Sequence, residues 1–197
     1  MKKEILSKKF WILMGAICGG LLFILLMLII AFNARKPEVV EEEMNGASVT
    51  LNYTGNNTGL QLNDVLPTTE AVAIADTDET KYFEFSVDTE ITKAKQLEYE
   101  IYIVPDKTAS TITNEDIRIY LEKEKDGTYT KVFGPSKFIP LKKDSKLGTP
   151  SGSMVLLNEK KTKSSKDNYR LRMWLADTSA IASGSYRVEV LISAKAS

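Results

Sequence analysis

The sequence predicts an all-β fold: one antiparallel β-sandwich, jelly-roll-like, of about eight to ten strands, preceded by a single N-terminal transmembrane helix. Three observations predict it. Residues 10–32, FWILMGAICGGLLFILLMLIIAF, run for 23 residues without a charge. From Ser48 onward, apolar side chains recur at every second position in stretch after stretch, the spacing of strands with one buried face. Glycine, proline, asparagine and aspartate punctuate those stretches, and no helical period of apolar residues follows the first segment.

Composition narrows the chemistry. The chain has 197 residues, with 26 basic and 26 acidic, and no polybasic stripe that would suit a nucleic acid. It has no histidine, which removes histidine-activated nucleophiles, the usual zinc sites and a histidine pH switch. The one cysteine, Cys18, lies inside the apolar run. The outer part therefore has no disulfide and no thiolate chemistry, and neither cofactor nor resident metal is expected. Its stability must come from packing, for which about 150 residues suffice.

Residues 1–9 form a basic start, with Lys2, Lys3, Lys8 and Lys9 offset by Glu4. A helix over 10–32 reaches roughly 34 Å at about 1.5 Å per residue, enough for a bilayer core of about 30 Å. The basic bias before it predicts a cytoplasmic N-terminus and a domain outside the cell. Trp11 falls at the inner boundary. A cleaved signal ending at Ala34 is the competing reading, but the apolar run exceeds a usual signal core and Phe32 occupies a position that wants a small residue. Gly15 and Gly19 form a G-x-x-x-G, a spacing that lets two membrane helices pack closely.

Residues 33–46, with Glu41–Glu43 in a row, read as an acidic, solvated stalk. The sandwich is then expected over 47–197. Val49, Leu51 and Tyr53 alternate with polar residues, and Leu60 to Leu62 suggests a second short strand. Asn52-Tyr-Thr and Asn56-Asn-Thr match the glycosylation pattern. The stretch after Pro67, LPTTEAVAIADTDET, has no clear period. Phe83, Phe85 and Val87 share one face of the next strand, and Leu97, Tyr99, Ile101 and Ile103 share a face of another. Ile117, Ile119 and Leu121 alternate too, although Thr113 and Asp116 resemble a helix-capping pair. Asp126-Gly127 predicts a hairpin turn. A loop rich in Pro and Gly follows, then a short strand from Met154, the lysine-rich EKKTKSSKDN, and a final hairpin. Its two apolar rows are Tyr169, Leu171, Met173, Leu175 and Tyr186, Val188, Val190, Ile192.

Four groups of residues are candidates for function. Arg170, Arg172 and Trp174 share the outward row of that last hairpin, with Arg187 and Leu191 on the opposing strand. They form either a docking patch, since Trp and Arg are enriched at hot spots, or a self-contained face closed by an Arg–Glu pair and cation–π contact. Lys160, Lys161, Lys163 and Lys166 form a basic loop suited to anionic polymers or lipid head groups. Asp76, Asp78 and Glu79 offer oxygen ligands to calcium, but without glycine-spaced loop chemistry. Ser153-Met154 with Lys160 or Lys161 resembles the Ser–Lys arrangement of signal peptidases, although the proline expected after Ser-Met is absent.

Two stretches carry a family resemblance. One is LNDVLPTTEAV (62–72) with TKYFEFSVDTEITKAKQLEYEIYIV (80–104); the other is YRLRMWLADT (169–178) closed by YRVEVLISA (186–194). Together they resemble small membrane-anchored surface proteins of Gram-positive bacteria and, more distantly, the TasA/camelysin family. The resemblance covers about half of the outer domain and implies an N-terminal apolar segment and a jelly-roll domain. The family's roles are biofilm fibre subunit and, for some members, peptidase; no functional residue carries over. The expectation is a non-catalytic structural, adhesive or envelope-assembly protein at the cell membrane. Its partners would be the bilayer and either its own copies or another envelope protein.

Overall fold

The computed structural model describes residues 39–55 and 57–197. The transmembrane segment, Gly15 and Gly19 lie outside the described residues. Among the described residues no helix is long and apolar enough to cross a membrane.

The described residues form ten strands: β1 (Val39–Met44), β2 (Ala47–Tyr53), β3 (Gly59–Val65), β4 (Tyr82–Ile91), β5 (Leu97–Pro105), β6 (Ile117–Lys125), β7 (Thr128–Ser136), β8 (Met154–Lys161), β9 (Ser165–Leu175) and β10 (Gly184–Ala196). Between β3 and β4 come one short helix, α1 (Glu70–Ala75), and a 3-10 turn at Glu79–Lys81. The strands make two antiparallel sheets, ordered β1-β2-β4-β9-β6-β7 and β3-β10-β5-β8. The β-sandwich predicted from alternation is thus the observed architecture.

Alternation explains the core. Val49 and Leu51 of β2, Phe85 and Val87 of β4, Ile119 and Leu121 of β6, and Leu171 of β9 are buried on the inner face of the larger sheet. Leu62, Ile101, Ile103, Tyr186 and Val190 answer them from the smaller one. Burial of such side chains is the main stabilising term, at roughly 1.5–3 kcal/mol each. The Asp126-Gly127 turn joins β6 to β7 as expected, with φ of 52° and 77° at its two residues, the positive values a type I′ hairpin requires. Gly59 is needed for a different reason. A Cβ there would lie 2.0 Å from the Val188 carbonyl oxygen, where β3 meets β10.

Three expectations need correction. From residue 39 onward the expected acidic stalk is part of the sandwich: its Glu41–Glu43 run lies in edge strand β1, which pairs with β2 from Val39↔Asn52 to Met44↔Ala47, while residues 33–38 lie outside the described residues. The Glu42 carboxylate accepts a hydrogen bond from the Ala194 backbone at 2.9 Å, so one of the three glutamates turns inward. The final hairpin does not form either, because β9 and β10 belong to different sheets. Their two apolar rows do face each other, but across the core, and residues 176–183 cross between the layers. Finally, the stretch after Pro67 contains α1, whose six residues are too few to display a period. The Thr113–Asp116 pair is present, with Thr113 Oγ1 donating to Asp116 Oδ2 at 2.6 Å, but it closes a turn before β6 rather than starting a helix.

Candidate functional site

Strand β9 sends Arg170, Arg172 and Trp174 to the outer face of the six-stranded sheet, as its alternation predicts. Only 4% of Arg172 and 5% of Trp174 remain exposed, because α1 lies over them. Ala73 of α1 packs with Trp174 and Tyr120, whose rings meet edge to face with centroids 6.4 Å apart. Arg172 Nε donates to Glu122 Oε2 at 2.9 Å, and Arg172 Nη1 donates to the Asp76 carbonyl at 2.7 Å and the Ala73 carbonyl at 3.5 Å. The guanidinium therefore satisfies carbonyls at the C-terminal end of α1, where a helix leaves them unpaired and favours a cation. The start of α1 is pinned by Thr68, whose N–H donates to the Leu175 carbonyl at 3.0 Å and which bridges in parallel to Ala176.

The Arg172–Trp174 part of the expected docking row is thus occupied by the chain's own segment. Arg170, beyond the reach of α1, is held by Glu84 Oε1 at 2.7 and 3.0 Å and sits 4.5 Å from the Tyr82 ring centroid and 3.9 Å from that of Tyr129. Arg187 and Leu191 do not join this face. They lie on β10 in the other sheet, with Arg187 Nη1 3.9 Å from Asp106 Oδ2 and Leu191 opposite Tyr102.

Beside α1 opens a cleft of about 480 Å³, lined by Asp64, Val65, Leu66, Pro67, Thr68, Ala73, Asp76, Lys81, Met173 and Trp174. Of the acidic candidates, only Asp76 borders it. Asp76 Oδ1 accepts from the Asp78 N–H, and Asp78 Oδ1 accepts from both the N–H and the hydroxyl of Thr80, at 2.8–2.9 Å. The Thr80 hydrogen bonds lower the Asp78 pKa. These carboxylates are turn-formers, and no cluster of three metal-ligating side chains occurs among the described residues.

The lysine-rich stretch is no long loop. β8 runs to Lys161 and β9 begins at Ser165, leaving a connection of residues 162–164. Lys160 pairs with Glu98 at 3.5 Å, and Lys166 lies 3.7 Å from Asp88. Lys163 sits exposed in the connection itself. Lys161 enters a half-buried cluster that the sequence did not announce. Its Nζ lies 2.7 Å from Asp167 Oδ2 and 3.1 Å from Glu159 Oε1. Lys123 Nζ approaches the same two carboxylates at 3.2 and 2.7 Å. Tyr99 and Tyr169 each donate to Glu159 Oε2, at 2.6 and 2.9 Å. Burial pushes Glu159 up, but the hydrogen bonds from Lys123, Tyr99, Lys161 and Tyr169 outweigh it and bring the pKa down to about 2. Burial also holds both phenols well above their ordinary value of 10. The cluster takes Tyr99, Glu159 and Lys161 from one sheet and Lys123, Asp167 and Tyr169 from the other, so it clasps the layers together.

The serine–lysine arrangement is not assembled. Ser153 is buried just before β8, and Lys160 lies near the far end of that strand. Seven residues of extended chain separate them by roughly 20 Å at about 3.3 Å per residue.

No family model matches the chain. No curated protein matches it either. Solved structures give distant likenesses. AvmM, described as catalysing macrocyclization in alchivemycin A biosynthesis, is 11% identical with a TM-score of 0.31, covering 76% of this chain and 79% of that one. A Paenibacillus xanthan lyase is 14% identical with a TM-score of 0.30, covering 83% of this chain but 12% of the lyase. A carbohydrate-binding module solved with GalNAc is 10% identical with a TM-score of 0.25, covering 76% of this chain and 98% of the module. Likenesses at this level assign neither a family nor an activity.

Proposed function

We propose that this chain is a cell-surface protein held by its apolar segment as a single-pass anchor, with the N-terminus in the cytoplasm. The sandwich, wound in jelly-roll fashion, stands outside the membrane in a non-catalytic structural, adhesive or envelope-assembly role. The observation that carries this reading is the charge-free run 10–32 with lysines before it, followed within a few residues by β1. Contacts with another envelope protein, or with a second copy, would fall on the strand edges, which accept added strands. Trp174 and Arg172 are not offered for them, because α1 covers both.

The test is added protease on intact cells carrying a C-terminal epitope, with membrane fractionation alongside. Loss of the epitope from a membrane-bound chain is the expected result. Protection of the epitope until the cells are lysed, or recovery of the chain from cytosol, would refute the proposal. A secreted form beginning at Arg35 would refute the anchor and favour an exported subunit.

A further inference from the structure

We propose that the cleft beside α1 binds a small zwitterion with an apolar body: an apolar α-amino acid or short peptide with free ends. At about 480 Å³ the space falls within the range of small-molecule sites. Its lining combines opposite charges with aliphatic surface. Asp64 and Asp76 supply two carboxylates and Lys81 an ammonium, while Leu66, Pro67, Ala73 and Met173 supply apolar wall.

The charges are not consumed by the fold. Neither the Asp64 carboxylate nor the Lys81 ammonium makes a hydrogen bond or ion pair with any described residue, although Lys81 feels the longer-range attraction of Asp78. Asp76 spends one oxygen on the Asp78 N–H and keeps the other. Asp64 is exposed at the rim, and Asp76 and Lys81 are half-buried, so all three are within reach of a ligand.

The backbone at the rim points the same way. β3 pairs with β10 through Tyr186↔Leu62 and then Gly184↔Val65, so β3 carries one extra residue there. Asp64 sits in that bulge with φ of 48°, a left-handed conformation that costs energy in any residue but glycine and that asparagine and aspartate tolerate best. Bulges redirect a side chain out of the strand's alternation, and here the redirected residue is a cleft-lining carboxylate. Val65 turns into the core, and Leu66 after it is 68% exposed at the cleft.

A ligand ammonium would meet Asp64 and Asp76, its carboxylate would meet Lys81, and its side chain would cover Leu66 and Met173. A neutral sugar fits less well. It needs an open aromatic face, and Trp174 is buried edge-on against Tyr120 and Ala73.

The experiment measures binding of L-leucine and L-leucyl-L-leucine to the full chain in detergent micelles by saturation-transfer NMR. N-acetyl-leucine and leucinamide, which lack one charge each, serve as the comparison. Saturable binding of the zwitterions is expected, weaker by at least about tenfold for each blocked form and for Asp64→Asn and Lys81→Met. Both variants should keep the parent unfolding temperature, since asparagine tolerates the Asp64 conformation. Absence of saturable binding up to about 10 mM, or equal binding by the blocked forms, would overturn the proposal. So would equal binding by both variants.

Discussion

Strand β9 brings charge into the interior at both of its ends, and the two ends solve the problem differently. Near its start, Asp167 joins Lys123, Glu159 and Lys161 between the sheets, with side chains 16–25% exposed and two tyrosines adding hydrogen bonds. Near its finish, on the opposite face, Arg172 has one carboxylate, Glu122, and the two side chains are 5% and 8% exposed. The first is a redundant network at the wet margin of the core. The second is a single dry pair under a helix. A buried charge that loses its only counter-charge costs far more than one that keeps a second partner and some water.

The sharpest way to break this comparison is Glu122→Ala. It strands the Arg172 guanidinium under α1, and urea melts should record a loss of about 3–5 kcal/mol. Glu159→Gln should cost less, about 2–3 kcal/mol, because Lys123 and Lys161 retain Asp167. If Glu159→Gln costs more than Glu122→Ala, the contrast between dry pair and wet network is wrong.

Acid sharpens the comparison next. The folded Glu159 pKa is about 2 against an ordinary 4.5. The unfolded chain therefore takes up its proton first as pH falls. The stabilisation is fully present above pH 4.5 and is lost on the way down to about 2, amounting to about 3 kcal/mol at most. Denaturant melts of Glu159→Gln should show a shallower decline over that window than the parent. Arg172→Lys keeps the charge beside Glu122 but not the planar fork that reaches two carbonyls. It should cost about 1–2 kcal/mol and speed amide hydrogen exchange in residues 70–75. The smallest effect belongs to the open part of the same row. Tyr129→Ala removes one ring from Arg170, which keeps Glu84 and Tyr82, so the loss should stay below about 1 kcal/mol.

The sequence revealed faces better than covers. Phe83, Phe85 and Val87, or Leu97 through Ile103, announce a buried face because the strand period is two. Asp126-Gly127 announces its turn because few dipeptides take positive φ twice. The Asn45-Gly46 pair was as clear a signal, with Gly46 at φ of 82°. Three glutamates in a row masked it by hiding the alternation of Val40, Glu42 and Met44. What lies over a face follows from long-range contacts instead. Nothing local to Arg172 says that a helix about 100 residues earlier will settle on it. The clasp was invisible for the same reason, since Lys123 and Glu159 stand 36 positions apart. Pairing β9 with β10 was the natural local reading, but the 176–183 crossing to the other sheet overrode it.

Acrylamide quenching of Trp174 tests most directly whether the chain's own helix closes the Arg–Trp row. Trp11 is the one other tryptophan, so Trp11→Phe isolates the signal in the full chain in detergent. Strong shielding in the folded protein, relaxed by Arg172→Lys, is the predicted result. Quenching of the folded protein as free as that of the urea-unfolded chain would contradict it.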